Sequence, residues 1–184
     1  MGLSEDSTSS SADCPGELTD EYESPNLLIT VDSSHPNKAY GEAASGEVSS
    51  TLSSIFRFHV PSSGGSDAGK TCKLVFFYAN TTKEEDVQKA SGAVEFSRLE
   101  GSVDLDTTQN SLPAVAQSYH RLTVAPGNAY TIESFACPSE DEDVVVELSS
   151  APGSQTALRF AQDSSDACPL GLYLLATAPE GVEL

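Results

Sequence analysis

Histidines, serines and closely spaced carboxylates are the side chains in this sequence that could take part in chemistry. The histidines are His35, His59 and His120, and no two of them have the spacing of a metal-binding pair such as His-x-His or His-x-x-x-His. Serines are abundant, but none lies in a Gly-x-Ser-x-Gly turn, so a hydrolase triad has no recognisable nucleophile. These two residue types predict no catalytic, metal or cofactor site.

Acidic residues cluster in places that could hold calcium or act as paired carboxylates. The clusters are residues 140–143, Asp104 with Asp106, and Asp163 with Asp166. None has the spacing of a calcium-binding loop of about twelve residues, so we interpret them as solvated acidic turns. Paired carboxylates at the right separation hydrolyse glycosidic bonds, which leaves a carbohydrate-active enzyme as an alternative function. The absence of tryptophan removes one common sugar-stacking residue.

The cysteines and one glycosylation motif bear on the compartment of the protein. Cys14, Cys72, Cys137 and Cys168 lie far apart, without a Cys-x-x-Cys pair, and three disulfide connectivities are possible. Four reduced thiols in a cytosolic domain are the alternative. An Asn-Thr-Thr sequon begins at Asn80, at the end of an apolar run where a surface turn is expected, and predicts glycosylation there. Together, these features favour a secreted protein.

The net charge excludes certain partners. The 184 residues include 28 Asp and Glu but only 9 Lys and Arg, which gives a formal net charge of −19. Nucleic acids and anionic membrane surfaces both require a basic patch, so we expect neither as a partner. No apolar run reaches the roughly 20 residues of a membrane span. We expect a monomer that binds a protein or a cell-wall polysaccharide.

The first 26 residues differ in composition from the rest of the chain. They contain 7 acidic residues and no basic residue, with many serines and threonines. Such a segment buries too little apolar surface to offset its chain entropy, and we predict a flexible acidic leader over residues 1–26. The segment also lacks the basic and apolar regions of a signal peptide. We expect that the signal peptide of a secreted precursor is absent from this sequence.

From Leu27 onward, short apolar runs alternate with Gly, Pro, Ser and Asn. About ten of these runs have the length of a β-strand. In one of them, Phe56 and Phe58 share one face of the strand while Arg57 and His59 share the other. This period of two is typical of strands with one face in a core.

Turn residues separate the predicted strands, as in the Pro-Gly-Asn at 126–128. Only residues 83–92 favour a helix, and it would be brief. The sequence therefore predicts one all-β domain over residues 27–184, stapled by disulfides. We expect an antiparallel β-sandwich or flattened barrel of short strands.

Several segments, taken in their order from about Pro25 to Thr177, carry a family resemblance. They are "PNLLITVDSSHPNKAYG", "SSIFRFHVP", "GKTCKLVFFY", "APGNAYTIESFACP", "VVVELSS" and "CPLGLYLLAT". Together they resemble the C-terminal domain of the fungal ubiquitin-three-binding ("But-two") proteins. The resemblance implies a secreted or surface protein of a fungus, with no defining enzymatic activity.

The resemblance also implies a disulfide pairing. The family pattern places a cysteine in "GKTC" and another in "FACP", which implies a Cys72–Cys137 bridge and leaves Cys14–Cys168 to join the leader to the last strand. The family name derives from the ubiquitin-like activation machinery, so an intracellular adaptor of that machinery is a further alternative. The function we expect is a secreted, non-catalytic binding module, associated with the cell wall or directed at a host as an effector.

Overall fold

Antiparallel β-strands provide all the regular structure in the part of the chain that the structure describes. This structure is a computed structural model, and it describes residues 14, 16, 18, 21–60, 70–78, 87–137, 142–162 and 168–177. Twelve strands occur within these residues. They are β1 (Glu21–Glu23), β2 (Leu27–Asp32), β3 (Ser45–Val48), β4 (Leu52–Val60), β5 (Thr71–Tyr78), β6 (Val87–Ser91), β7 (Val94–Leu99), β8 (Val115–Leu122), β9 (Asn128–Ala136), β10 (Glu142–Ser150), β11 (Ala157–Ala161) and β12 (Gly171–Thr177). None of the described segments is a helix long and apolar enough to cross a membrane.

The strands form three sheets, of which the two larger ones make a sandwich. Sheet A has the order β1-β12-β5-β9, sheet B the order β2-β4-β10-β7-β8, and sheet C the order β3-β11-β6. Alternate residues of all three sheets share one buried core. Each sheet ends in two edge strands, so the sheets do not close on themselves. The predicted β-sandwich is confirmed, with twelve described strands where the sequence indicated about ten.

An aromatic cluster joins the three sheets. The Phe76 ring on β5 lies 5.1 Å from the Phe160 ring on β11 and 5.8 Å from the Phe96 ring on β7, measured between centroids. Phe56 on β4 stacks on Phe160 at 6.4 Å. All of these rings are fully buried. Phe56 and its neighbour Phe58 face the core together, as their alternation in the sequence predicts.

Residues 87–91 form a strand, so the helix predicted over residues 83–92 is wrong for this part. Strand β6 pairs with β11, with Val87 opposite Phe160. A single helical turn would satisfy few backbone groups, whereas pairing with β11 satisfies those of both strands. Gly92 ends the strand with φ of 80°, and a Cβ there would lie 2.8 Å from the carbonyl oxygen of Gln155. Gly92 therefore begins a tight turn after strand β6, whereas the sequence predicted that it would end a helix.

Two disulfides connect parts of the chain that are distant in sequence. Cys72 on β5 bonds to Cys137, which follows β9, across a sequence separation of 65 residues. Cys14 bonds to Cys168, which precedes β12, across a separation of 154 residues. These are the pairs that the family resemblance implies. All four cysteines lie in the described part of the chain, and none is free.

Part of the predicted flexible leader is structured. Strand β1 lies within it and pairs with β12, and the Tyr22 ring meets the Tyr173 ring edge-on at 6.1 Å. The expectation of flexibility over residues 1–26 is therefore wrong for residues 21–23. Composition alone did not indicate that the outer face of sheet A is apolar and that a nearby segment covers it. Most of the remaining leader residues, and also Asn80, lie outside the described residues.

Candidate functional site

A serine, a histidine and an aspartate meet at the end of β2. The Asp32 carboxylate accepts a hydrogen bond from Ser34 Oγ at 2.7 Å and lies 3.1 Å from His35 Nδ1. Ser34 Oγ lies 3.1 Å from that same Nδ1 atom. In a catalytic triad, the carboxylate and the nucleophile bind opposite nitrogens of the imidazole. Here both contact one nitrogen, so the arrangement is not a triad.

The Asp32 carboxylate instead organises the turn that follows β2. The Ser34 backbone N–H and the Tyr40 hydroxyl also donate to it, each at 2.9 Å. Hydrogen bonds to the ionised form, those from Ser34 above all, hold the pKa of Asp32 well below its usual range. The role of this group is structural.

Of the other described residues singled out from the sequence, one histidine and one aspartate form a pair at the surface. His59 Nδ1 lies 3.0 Å from Asp143 Oδ1, but both side chains are more than two-fifths exposed, and such surface pairs contribute little. Asp104 accepts a hydrogen bond from the Asp106 N–H inside a turn. Residues 140, 141, 163 and 166 lie outside the described part of the chain. Within that part, no group of three or more His, Cys, Asp or Glu side chains could hold a metal ion.

Two carboxylates that the sequence did not single out are neighbours on the outer face of sheet B. Glu147 on β10 pairs with Ser97 on β7, and Ser149 pairs with Glu95, which makes the two glutamates diagonal neighbours. Burial raises the pKa of the Glu147 carboxyl; a hydrogen bond with Ser53 opposes this effect, and the Glu95 charge adds to it. The sequence signal was a single charge inside the apolar run "VVVEL".

We expect Glu147→Gln to change how stability depends on pH. The native state binds the Glu147 proton more tightly than the unfolded chain does, because the native pKa is raised. The contribution to stability is therefore complete below the ordinary pKa of about 4.3 and is lost as pH rises through the native pKa. Glutamine does not titrate, so the melting temperature of the variant should rise relative to that of the wild type as pH increases above about 4. Parallel melting profiles for the two proteins would contradict this assignment; Glu100→Gln, at an exposed position, is the control.

A connected group of charged and aromatic side chains lies where edge strands β8 and β9 meet. Arg98 Nη1 on β7 lies 3.3 Å from Glu133 Oε1 on β9, and Arg98 Nη2 lies 3.7 Å from Glu142 Oε2 on β10. Tyr119 on β8 donates a hydrogen bond to Glu133 Oε1. The Arg98 guanidinium lies 4.9 Å from the centroid of the Phe135 ring. We call these residues the edge cluster, and it links sheet A to sheet B.

The electrostatics of the edge cluster leave a negative charge at the surface. One guanidinium faces two carboxylates, so these three charged groups sum to −1. The side chains of Arg98 and Glu133 are 21% and 16% exposed, whereas that of Glu142 is 51% exposed. Burial and the Glu133 carboxylate raise the pKa of Tyr119, which keeps the phenol protonated as a hydrogen-bond donor. Glu142 therefore presents the excess charge to solvent.

Among the strands that the structure describes, β9, beside the edge cluster, is the last of sheet A. All nine of its residues are exposed or half-buried. An edge strand presents backbone N–H and C=O groups that can pair with another chain, and natural proteins usually protect such edges with charges or proline. Strand β9 has one charged residue, Glu133, and no proline. It is therefore suited to receive an added strand.

Comparison with known proteins gives one family and no curated relative. The family model for the ubiquitin 3 binding protein But2 C-terminal domain matches residues 23–166, which is more than three quarters of the chain. No curated protein matches the chain. The matched range begins at the end of β1 and includes the whole edge cluster and the Cys72–Cys137 bridge. The chain is thus a member of the But2 C-terminal domain family.

Proposed function

We propose that the chain folds as one domain and acts as an extracellular, non-catalytic binding module of a fungus, at the cell wall or directed at a host. The observation that carries this proposal is the edge cluster, where two carboxylates share one guanidinium beside β9, the outer strand of sheet A in the described part of the chain. Membership of a family named for binding ubiquitin 3 supports the binding class. The two disulfides support an oxidising compartment.

The surface fits a protein partner that carries lysine or arginine in an extended segment. The backbone of β9 can pair with that segment, and Glu142 can accept a hydrogen bond from its cationic group. The half-buried rings of Phe135 and Tyr119 lie beside the charge. The net charge of −19 would steer a cationic partner towards the protein, more strongly at low salt.

We expect a lysine-rich, strand-forming peptide to bind the protein and Glu142→Gln to weaken that binding by about threefold to tenfold, because one charged contact at a partly exposed site is lost. Glu100→Gln removes the same charge from an exposed loop and should change the affinity by less than about twofold. Isothermal titration calorimetry at low and at moderate salt measures both effects. Equal affinities of Glu142→Gln and Glu100→Gln for the peptide would contradict the proposal that the edge cluster is the binding surface. Preferential binding of a polysaccharide would make the partner a glycan.

A second candidate function, hydrolysis of a polysaccharide, is favoured by the Glu95 and Glu147 pair. A buried carboxyl that retains its proton can act as a general acid, and an ionised neighbour can act as a base or nucleophile. Release of reducing sugars from fungal or plant wall polysaccharides tests this candidate. If this activity is lost in Glu147→Gln but kept in Glu100→Gln, the proposed function is hydrolysis of a polysaccharide and not binding. The third alternative, an intracellular adaptor of ubiquitin-like conjugation, requires a compartment in which disulfides are rarely kept.

A further inference from the structure

The outer face of sheet A is apolar, and the N-terminal segment of the chain itself covers it. A buried cluster on this face consists of Val75, Phe77, Tyr173 and Leu175. Leu18 packs against this cluster. Gly16 lies so close to Phe77 that a Cβ on it would be 2.9 Å from the ring. We call Cys14, Gly16, Leu18 and Glu21–Glu23 the strap.

The strap also covers the edge of strand β12. Strand β1 pairs with Leu174, Leu175 and Ala176, three of the seven residues of β12. The β12 sequence, "GLYLLAT", contains no charged residue and no proline. A long, apolar, uncharged edge strand pairs readily with any suitable strand that reaches it. The structure therefore shows one segment bound to this surface, which is the extended strap of the same chain.

The strap is anchored by a bond that small thiols can reach. Cys14 and Cys168 are both half-buried; in the other bridge Cys137 is also half-buried, but Cys72 is only 1% exposed. Thiol–disulfide exchange requires access to a sulfur atom, so a thiol can attack either end of the Cys14–Cys168 bond but only one end of Cys72–Cys137. Among the described contacts, those that then still hold the strap include the short strand β1, the Tyr22–Tyr173 ring contact and the packing of Gly16 and Leu18 on sheet A.

A short connection joins the strap to the rest of the fold. Residues 24–26 link β1 in sheet A to β2 in sheet B, and Pro25 lies in the middle. The connection ends at a fixed point, since the Asn26 N–H donates to the Arg57 carbonyl at 2.8 Å. Short hinges of this kind favour exchange of the terminal element between two copies of a protein.

We propose that the surface under the strap is a binding site for the strap of a second copy of this chain, opened by thiol–disulfide exchange at Cys14–Cys168. A small-molecule thiol attacks the Cys168 sulfur, forms a mixed disulfide and releases the Cys14 thiolate. The Cys14 thiolate of one copy then attacks the mixed disulfide on the Cys168 of another and regenerates the thiol. When both straps have exchanged, two disulfide bonds have broken and two have formed, so no net oxidant or reductant is consumed.

A second copy fits this site because every contact of the closed chain is reproduced. Its Tyr22 meets Tyr173, its Gly16 lies over Phe77, and its β1 pairs with β12 in the same register. The exchange is reciprocal, so the product is a symmetric dimer. The strap of the same chain competes with the strap of the second copy for this site. Its effective concentration is about 1 mM, so little exchange occurs in dilute protein. High salt favours the dimer, because each copy carries −19 charges.

The test mixes nitrogen-15-labelled and unlabelled full-length protein with a catalytic amount of reduced glutathione, then quenches with acid and maps disulfide-linked peptides by mass spectrometry. We expect Cys14–Cys168 pairs that join a labelled to an unlabelled peptide, at about 1% of the total or less near 10 μM protein and about half the maximum near 1 mM. The Cys72–Cys137 pair is the internal control and should remain within one chain, because β5 and β9 pair along their whole length and keep the two cysteines together even if a thiol opens the bond. Absence of mixed Cys14–Cys168 pairs at 1 mM would overturn the proposal.

Hydrogen exchange on the purified disulfide-linked dimer distinguishes strap exchange from adventitious cross-linking. In the exchanged dimer, a strap still pairs with β12, so those amides of Leu174–Ala176 that point towards β1 rather than towards β5 should be protected as in the monomer. A random cross-link would leave β12 uncovered and these amides unprotected, and that result would also overturn the proposal.

Discussion

Replacement of Cys72 and Cys137 together by serine is expected to lower the free energy of unfolding by about 4 kcal/mol. The bridge spans 65 residues, and the chain-entropy relation gives this value for a loop of that length. For a domain of this size the loss corresponds to a fall of about 8–16 °C in melting temperature. Cys72 is buried in the core, so a serine hydroxyl there adds a desolvation cost. Circular dichroism during heating measures the effect.

The matched control is the replacement of Cys14 and Cys168 by serine. Loop length alone would predict a larger loss for this pair, since its separation is 154 residues. We expect a smaller loss, of several degrees, because the strap regains its own freedom in the folded variant when the anchor is absent. A larger loss for this pair than for Cys72 and Cys137 would show that the strap is an integral part of the fold.

The main features of the fold could be predicted because they depend on residues close in sequence. The alternation of Phe56 and Phe58 with Arg57 and His59 identifies a strand with one buried face, and the structure places both phenylalanines in the core. Strand β6 could not be predicted in this way. Its local composition favours a helical turn, and only pairing with β11 makes it a strand.

The candidate site could be predicted only in part, because sequence alternation gives the face of a residue but not its neighbours. In "VEFSRL", the period of two places Arg98 on the same face as Val94 and Phe96, which is an unusual position for a charge. Its partners Glu133 and Glu142 lie on strands far along the chain, and the sequence does not show that these strands meet. The family resemblance implied the anchor of the strap at Cys14, but its packing escaped prediction for the same reason, since Leu18 and Tyr22 pack on residues more than 50 positions away.

Phe160→Ala is expected to lower the free energy of unfolding by about 3–5 kcal/mol, the range for a buried phenylalanine. The ring is fully buried and connects sheet C to the two larger sheets through Phe56 and Phe76. Its removal leaves a cavity between three sheets whose backbones are fixed by strand pairing, so little collapse can occur. Urea denaturation measures the loss. A loss below about 1 kcal/mol would mean that the core can close around the missing ring.

Gly46→Ala tests the same packing from the opposite strand. Gly46 pairs directly with Phe160, and a Cβ on it would lie 2.3 Å from the Cζ atom of the ring. The ring cannot move away, because Phe56 and Phe76 hold it on other sides, so the added methyl should cost about 1–3 kcal/mol by overpacking. In the Phe160→Ala background, the same methyl enters the cavity and should be neutral or stabilising. A double-mutant cycle by urea denaturation should therefore give a strong non-additive effect, because the methyl destabilises the wild type but not the Phe160→Ala protein. Additive effects of the two substitutions would mean that a backbone shift in β3 relieves the contact. The position of the Phe160 ring would then not depend on the absence of a side chain at Gly46.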